Sequence, residues 1–113
     1  MNVGLRLIMA TIATNESPSF KRFLRSVRVN GMSVKVSGSK VNFVGLGCKL
    51  LALRNELEHY KNDQRTVVLF VDAYDVLINA GAEQILQRFQ KSGARILFSA
   101  EINCFPDESL ESM

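Results

Sequence analysis

Two runs in this chain are apolar at almost every position, and they constrain the fold more than any other feature. Leu5 to Ala13 is broken only by Arg6 and Thr11, and Val67 to Val71 is not broken at all. A strand with one face in water alternates apolar and polar residues. A strand that is apolar on both faces must be covered on both, as in a parallel sheet with helices above and below. The second run is too β-branched to read as a helix, and no segment of the chain is long enough to span a bilayer.

The stretches between the runs supply the helices. Asn15-Glu16-Ser17-Pro18 stops the first strand, with Ser17 placed as an N-cap and Pro18 at the first helical position. Phe20, Phe23, Leu24 and Val27 then recur at i, i+3, i+4, i+7, which turns Lys21, Arg22, Arg25 and Arg28 outward. Asn30-Gly31 closes this helix. Ser33 to Val36 reads as a short second strand and Ser37-Gly38-Ser39-Lys40 as a polar loop. Val44-Gly45-Leu46-Gly47-Cys48-Lys49 opens a second helix, expected to carry Leu50, Leu53, Leu57 and Tyr60 on one face. A third strand follows at Thr66–Val71. The third helix runs from Glu83 to Lys91 with Ile85, Leu86 and Phe89 inward, and Arg95 to Ala100 reads as a fourth strand. The order β-α-β-α-β-α-β predicts an α/β, Rossmann-like, mostly parallel sheet with helices on both faces. Residues 1–102 form this unit, and residues 103–113 form an irregular tail with Pro106 and several acids.

At 113 residues the chain is one domain at most. The net charge of +3 is unevenly spread: residues 1–61 hold ten Lys/Arg against three Asp/Glu, and residues 62–113 hold four against eight. The basic residues of the first helix have no exposed aromatics among them, so they read as a solvated face and no nucleic-acid partner is expected. Cys48 and Cys104 fit no metal-ligand or Cys-x-x-Cys spacing. The N-terminal segment reads as a first strand, not a signal peptide.

The chemistry is concentrated where the third strand ends. Phe70-Val71-Asp72-Ala73-Tyr74-Asp75-Val76 puts two carboxylates three positions apart at the carboxyl edge of the sheet, where open α/β sheets bind ligands. Such a pair can hold a divalent cation such as Mn2+ or Mg2+ against two phosphate oxygens, with Tyr74 packed on a base or bonded to a ribose. The same residues also suit a plain turn, with Asp72 capping it, Asp75 starting a short helix and Tyr74 in the core. Gly45-x-Gly47 before a helix lets a backbone approach an anion, and equally makes a flexible loop carrying one lysine. Glu101 ends the fourth strand on the same edge. His59, the only histidine, lies late in a helix away from that edge, and no nucleophile–histidine pair or P-loop is present.

Three blocks together resemble a known family. They are Ala10-Thr11-Ile12-Ala13-Thr14-Asn15-Glu16; then Gly45-Leu46-Gly47-Cys48-Lys49 with Leu57-Glu58-His59-Tyr60; then Phe70 to Val76, continuing through Phe89-Gln90-Lys91-Ser92-Gly93 to Leu97-Phe98-Ser99-Ala100-Glu101. This pattern resembles the N-terminal glycosyltransferase domain of the procollagen-lysine 2-oxoglutarate 5-dioxygenases, the lysyl hydroxylases. The resemblance implies a GT-A-type fold that binds a UDP-sugar through Mn2+. It implies transfer of glucose or galactose from UDP-glucose or UDP-galactose to hydroxylysine-based acceptors in collagen. It matches Asp72 and Asp75 to metal-binding acids, Tyr74 to the nucleotide, Lys49 to the UDP-sugar and Glu101 to the sugar side. The family departs from this chain at Leu46, Cys48, Ala52 and Phe105, and in a longer loop before Gly45.

On this resemblance the chain is expected to be about half of such a domain, a fragment or short paralogue without assured activity. The alternative is a non-catalytic module that binds a nucleotide sugar or a partner. The resemblance implies the endoplasmic reticulum lumen, whereas the N-terminal segment reads as a strand and the chain as written is expected in the cytoplasm. A half-domain exposes apolar surface, so self-association is expected.

Overall fold

The computed structural model describes residues 4–37 and 46–99. The elements are β1 (Arg6–Ile12), α1 (Pro18–Val29), β2 (Val34–Ser37), α2 (Leu46–Glu58), β3 (Thr66–Phe70) and α3 (Ala82–Ser92). The three strands form one sheet in the order β2-β1-β3, and both pairings are parallel. Met9 lies opposite Val34 on one side and Leu69 on the other. β1 is therefore the central strand, and this is the Rossmann-like α/β arrangement expected of a chain with an uninterrupted apolar first strand.

The two faces of β1 are covered differently. Met9 and Ala13 pack with Phe20, Phe23, Val27 and Ala73 into the buried core, and Val34 and Leu69 flank it. α1 forms where expected: the Ser17 hydroxyl accepts the Phe20 N–H at 3.2 Å, and Pro18 opens the helix. It ends at Asn30, followed by Gly31 at φ +75°, a left-handed conformation that glycine adopts without a Cβ clash. On the opposite face, Arg6 of β1 and Lys35 of β2 approach the ring of Tyr60, just beyond α2, at 5.9 and 5.1 Å. Lys35 also reaches Glu56 at 3.2 Å. One face carries the larger apolar core; the other joins buried Ala10 and Ile12 with these ionic and aromatic contacts.

That difference corrects the expected orientation of α2. Leu50 and Leu57 are exposed, as is Leu51, and the half-buried residues are Lys49, Ala52, Leu53, Glu56 and Tyr60. The inward stripe has helical spacing but contains two charges. The helix is turned so that Lys49 and Glu56 reach Asp72 and Lys35, partners whose positions in space the local period of leucines does not reveal.

The fourth strand is a second correction. Residues 94–99 form no strand, and Ile96, Leu97 and Phe98 are exposed. β-branched and apolar composition is only a propensity. A strand exists through its ladder of hydrogen bonds, and among the described residues the sheet has three members. Ala100, Glu101 and the proposed tail lie outside the described residues.

The entry to β3, at the opposite edge of the sheet from Asp72, is fixed by Asp63. It accepts the Arg65 N–H at 2.9 Å and the Thr66 hydroxyl at 2.7 Å. The hydrogen bond from Thr66, then that from Arg65, holds the Asp63 carboxyl below its ordinary pKa of 3.8.

The asymmetry of the two faces can be tested by paired substitutions. Phe23 is completely buried, and Phe23→Ala should cost about 3–5 kcal/mol. Leu50 is 68% exposed, and Leu50→Ala should change stability by no more than about 0.5 kcal/mol. Urea unfolding midpoints at constant slope provide the measurement, and a large loss for Leu50→Ala would refute the observed orientation of α2.

Candidate functional site

Because the strands are parallel, β1 and β3 end on the same edge, and the segments that follow them meet there. β1 leads into Ala13, Thr14 and Asn15; β3 leads into Val71 to Asp75. The first turn of α2 reaches the same place. Lys49 Nζ lies 2.8 Å from Asp72 Oδ1, as both a hydrogen bond and an ion pair.

The loop from 71 to 81 contains no helix or strand, yet it is anchored at close intervals. The Val71 N–H donates to Ala10 O at 3.1 Å, and the Thr11 hydroxyl donates to Val71 O. Thr11 is buried, and this bond satisfies a hydroxyl that would otherwise be costly in the interior. Ala73 is buried in the core. The Tyr74 phenol oxygen accepts the N–H groups of Thr14 and Asn15 at 2.9 and 3.4 Å, and its ring centroid lies 6.3 Å from that of Phe20. Val76 and Ile78 pack against the same core. Asp72 and Asp75 fall between these anchors and are exposed. The loop thus fixes its backbone inward and displays its two acids outward.

The local electrostatics combine two exposed acids with Lys49 and with the phenol of Tyr74. The Tyr74 phenol titrates below its ordinary value of 10.0. The hydrogen bond from the Thr14 side chain is the largest cause, opposed by burial. The backbone N–H groups of Thr14 and Asn15 and the charge of Lys49 act in the same direction as Thr14. The Lys49–Asp72 pair is partly solvated, with side chains 34% and 57% exposed, and such pairs contribute about 0–1 kcal/mol. It is a contact that a phosphate or a metal ion can exchange.

Of the residues singled out from sequence, the structure joins Lys49 to Asp72, with Tyr74 and the exposed Asp75 following in the same loop, and Glu101 lies outside the described residues. The turn reading is only partly followed. Tyr74 is half-buried against Phe20, as it required, but Asp75 starts no helix and the carboxylate of Asp72 faces a lysine. Among the described residues no three His, Cys, Asp or Glu side chains are grouped to hold a metal. Among the described residues, the acids of this loop open to a cation are Asp72 and Asp75. Sequence reasoning missed Thr11, Thr14, Asn15, Ser26 and Asn30. Each of the five makes one hydrogen bond to a residue about fifty to sixty positions away, for which no local pattern exists.

A family model of the PLOD GT domain matches residues 4–113. The chain is 40% identical over 107 residues to the procollagen-lysine,2-oxoglutarate 5-dioxygenase of Drosophila melanogaster, covering 88% of this chain and 15% of the relative. It is 37% identical over 113 residues to the multifunctional procollagen lysine hydroxylase and glycosyltransferase LH3 of Homo sapiens, covering 93% and 15%. The human procollagen-lysine,2-oxoglutarate 5-dioxygenase 2 is 33% identical over the same length and coverage. The chain spans about 15% of the length of these relatives. Among the described residues no helix is long and apolar enough to cross a membrane.

The phenol provides a direct check on this geometry. The chain has two tyrosines, so a Tyr60→Phe background isolates Tyr74. Its phenolate absorbance should titrate below 10.0, and adding Lys49→Ala should move the midpoint upward, because a nearby cation favours the anion. No response to Lys49→Ala would remove Lys49 from the site.

Proposed function

Because the chain belongs to the PLOD GT domain family, we propose that it binds a UDP-sugar with Mn2+ at the carboxyl edge of its sheet, as the donor half of a glycosyltransferase. The observation that carries this reading is the anchored loop that displays Asp72 and Asp75 outward with Lys49 against Asp72. The donor set suits the ion: two exposed carboxylates in one short loop are the hard oxygen donors that Mg2+-like cations take when phosphates and water supply the rest of their shell. When bound, Mn2+ acts as a Lewis acid toward the charge that develops on the departing nucleoside diphosphate.

The protein groups have separate roles in this scheme. Asp72 and Asp75 hold the ion. Lys49 exchanges Asp72 for a diphosphate oxygen, a low-cost step for a solvated pair. Tyr74, with its hydroxyl engaged by Thr14 and Asn15, keeps its ring against Phe20 and so fixes the loop between the two acids. Glucose or galactose from UDP-glucose or UDP-galactose is the transferred group, and collagen hydroxylysine is the acceptor. This extends to the chain the activity by which the LH3 relative is named, that of a procollagen lysine hydroxylase and glycosyltransferase.

A second reading is favoured by one observation. The described residues offer two acids to a metal and no third ligand, which suits a module that binds a nucleotide sugar without turning it over.

Thermal unfolding tests the shared part of both readings. UDP with Mn2+ should raise the melting temperature, by the equivalent of about 2.7 kcal/mol when ligand is at a hundred times its Kd. The rise should vanish in Asp72→Ala and in Asp75→Ala. No shift at millimolar UDP and Mn2+ would overturn both readings. A shift without sugar transfer or UDP-sugar hydrolysis would leave the binding module.

A further inference from the structure

The loop bearing the two acids is tied to α1 at its far end by bonds that α1 does not need. The Ser26 hydroxyl donates to Phe23 O at 2.7 Å and accepts the Ile78 N–H at 2.9 Å. The Asn30 side-chain amide donates to Ser26 O and to Ile78 O, both at 2.8 Å. Both backbone polar groups of Ile78 are thereby taken by two side chains one helical turn apart. The end of α1 is already closed without them, by Gly31 N–H to Arg28 O at 3.0 Å and Met32 N–H to Val27 O at 3.1 Å. The bonds to Ile78 are therefore surplus to helix capping, and what they hold is the loop.

Their placement determines which acid they affect. Asp72 sits between the anchors at Val71 and Tyr74, and Asp75 between those at Tyr74 and Ile78. Only Asp75, Val76 and Leu77 separate the last two anchors, and an extended residue spans at most about 3.3–3.6 Å, so fixing Ile78 leaves Asp75 little slack.

We propose that Ser26 and Asn30 are positioning residues for Asp75, setting the affinity of the acid pair for a divalent cation with a nucleoside diphosphate. The proposal rests on the reading of Asp72 and Asp75 as that site. Neither residue touches the ligand; both act through the backbone of Ile78.

The test uses the full chain, with Mn2+ titrated in the presence of UDP, alongside amide hydrogen exchange without ligand. Ser26→Ala and Asn30→Ala should each weaken Mn2+ about tenfold, the scale of losing one hydrogen bond of the clamp. Ser26→Thr, which keeps the hydroxyl, should retain wild-type affinity. Asp63→Ala, which breaks a turn at the opposite sheet edge, should lower stability and leave Mn2+ affinity unchanged. The Tyr74 phenolate midpoint should also stay put in Ser26→Ala, because the Asp72 half keeps its own anchors. Wild-type Mn2+ affinity in folded Ser26→Ala and Asn30→Ala would overturn the proposal, as would equal weakening in Asp63→Ala. Exchange separates the failures. The Ile78 amide should exchange faster in Ser26→Ala, and unchanged exchange overturns the clamp itself. If exchange accelerates but the wild type binds no Mn2+ with UDP, the proposed function falls and the positioning role falls with it.

Discussion

The structure depends on β1 being paired on both edges and covered on both faces. A strand in that position cannot shift register without moving Met9 and Ala13 out of the α1 core, because a slip of one residue reverses the direction of every side chain. Everything at the candidate site is measured from its carboxyl end. Ala10 and Thr11 take both backbone groups of Val71, and Thr14 and Asn15 take the phenol of Tyr74. The loop that carries the acids has no secondary structure of its own, and it borrows order from the most constrained strand in the chain.

The two faces of the sheet divide the work. The α1 face supplies burial through Phe20, Phe23 and Val27, the term on which stability mostly depends. The α2 face supplies position: Lys35, Glu56 and Tyr60 orient a helix whose exposed leucines contribute little to holding it in place. That orientation delivers Lys49 to Asp72. The polar stripe of α2 is therefore as much part of the site as of the fold.

Much of this was readable from local pattern. The cap at Ser17, the stop at Asn30-Gly31, the apolar face of α1 and the buried first strand follow from spacings of a few residues, where local chemistry decides the outcome. Two features were not readable. The face that α2 turns inward depends on which charges the sheet offers it, so the regular leucines misled. The stretch from Arg95 to Ser99 has strand composition, but pairing is a property of a partner and not of composition. In the site, the acids and Lys49 stood out by type and by family resemblance. Their supports did not, because a serine inside a helix and an asparagine at its end look like ordinary helix chemistry until the distant loop is placed beside them.

The exposure of the Lys49–Asp72 pair supplies the last step. A buried pair is hard to separate, because removing one partner leaves an uncompensated charge in a medium that solvates it poorly. A pair that is partly in water costs little to open, since solvent or an incoming ion takes over at once. The anchors around it are of the opposite kind: Thr11 and Ala73 are buried, and Tyr74 and Ile78 are held by paired hydrogen bonds. The site thus combines a backbone that resists movement with a surface ion pair that exchanges readily. For the proposed binding of a metal with a diphosphate that combination is useful, because the rigid loop limits the ordering entropy lost on binding while a solvated lysine can change partners. A loop equally rigid at its charges, or equally loose at its backbone, would lose one of those two advantages.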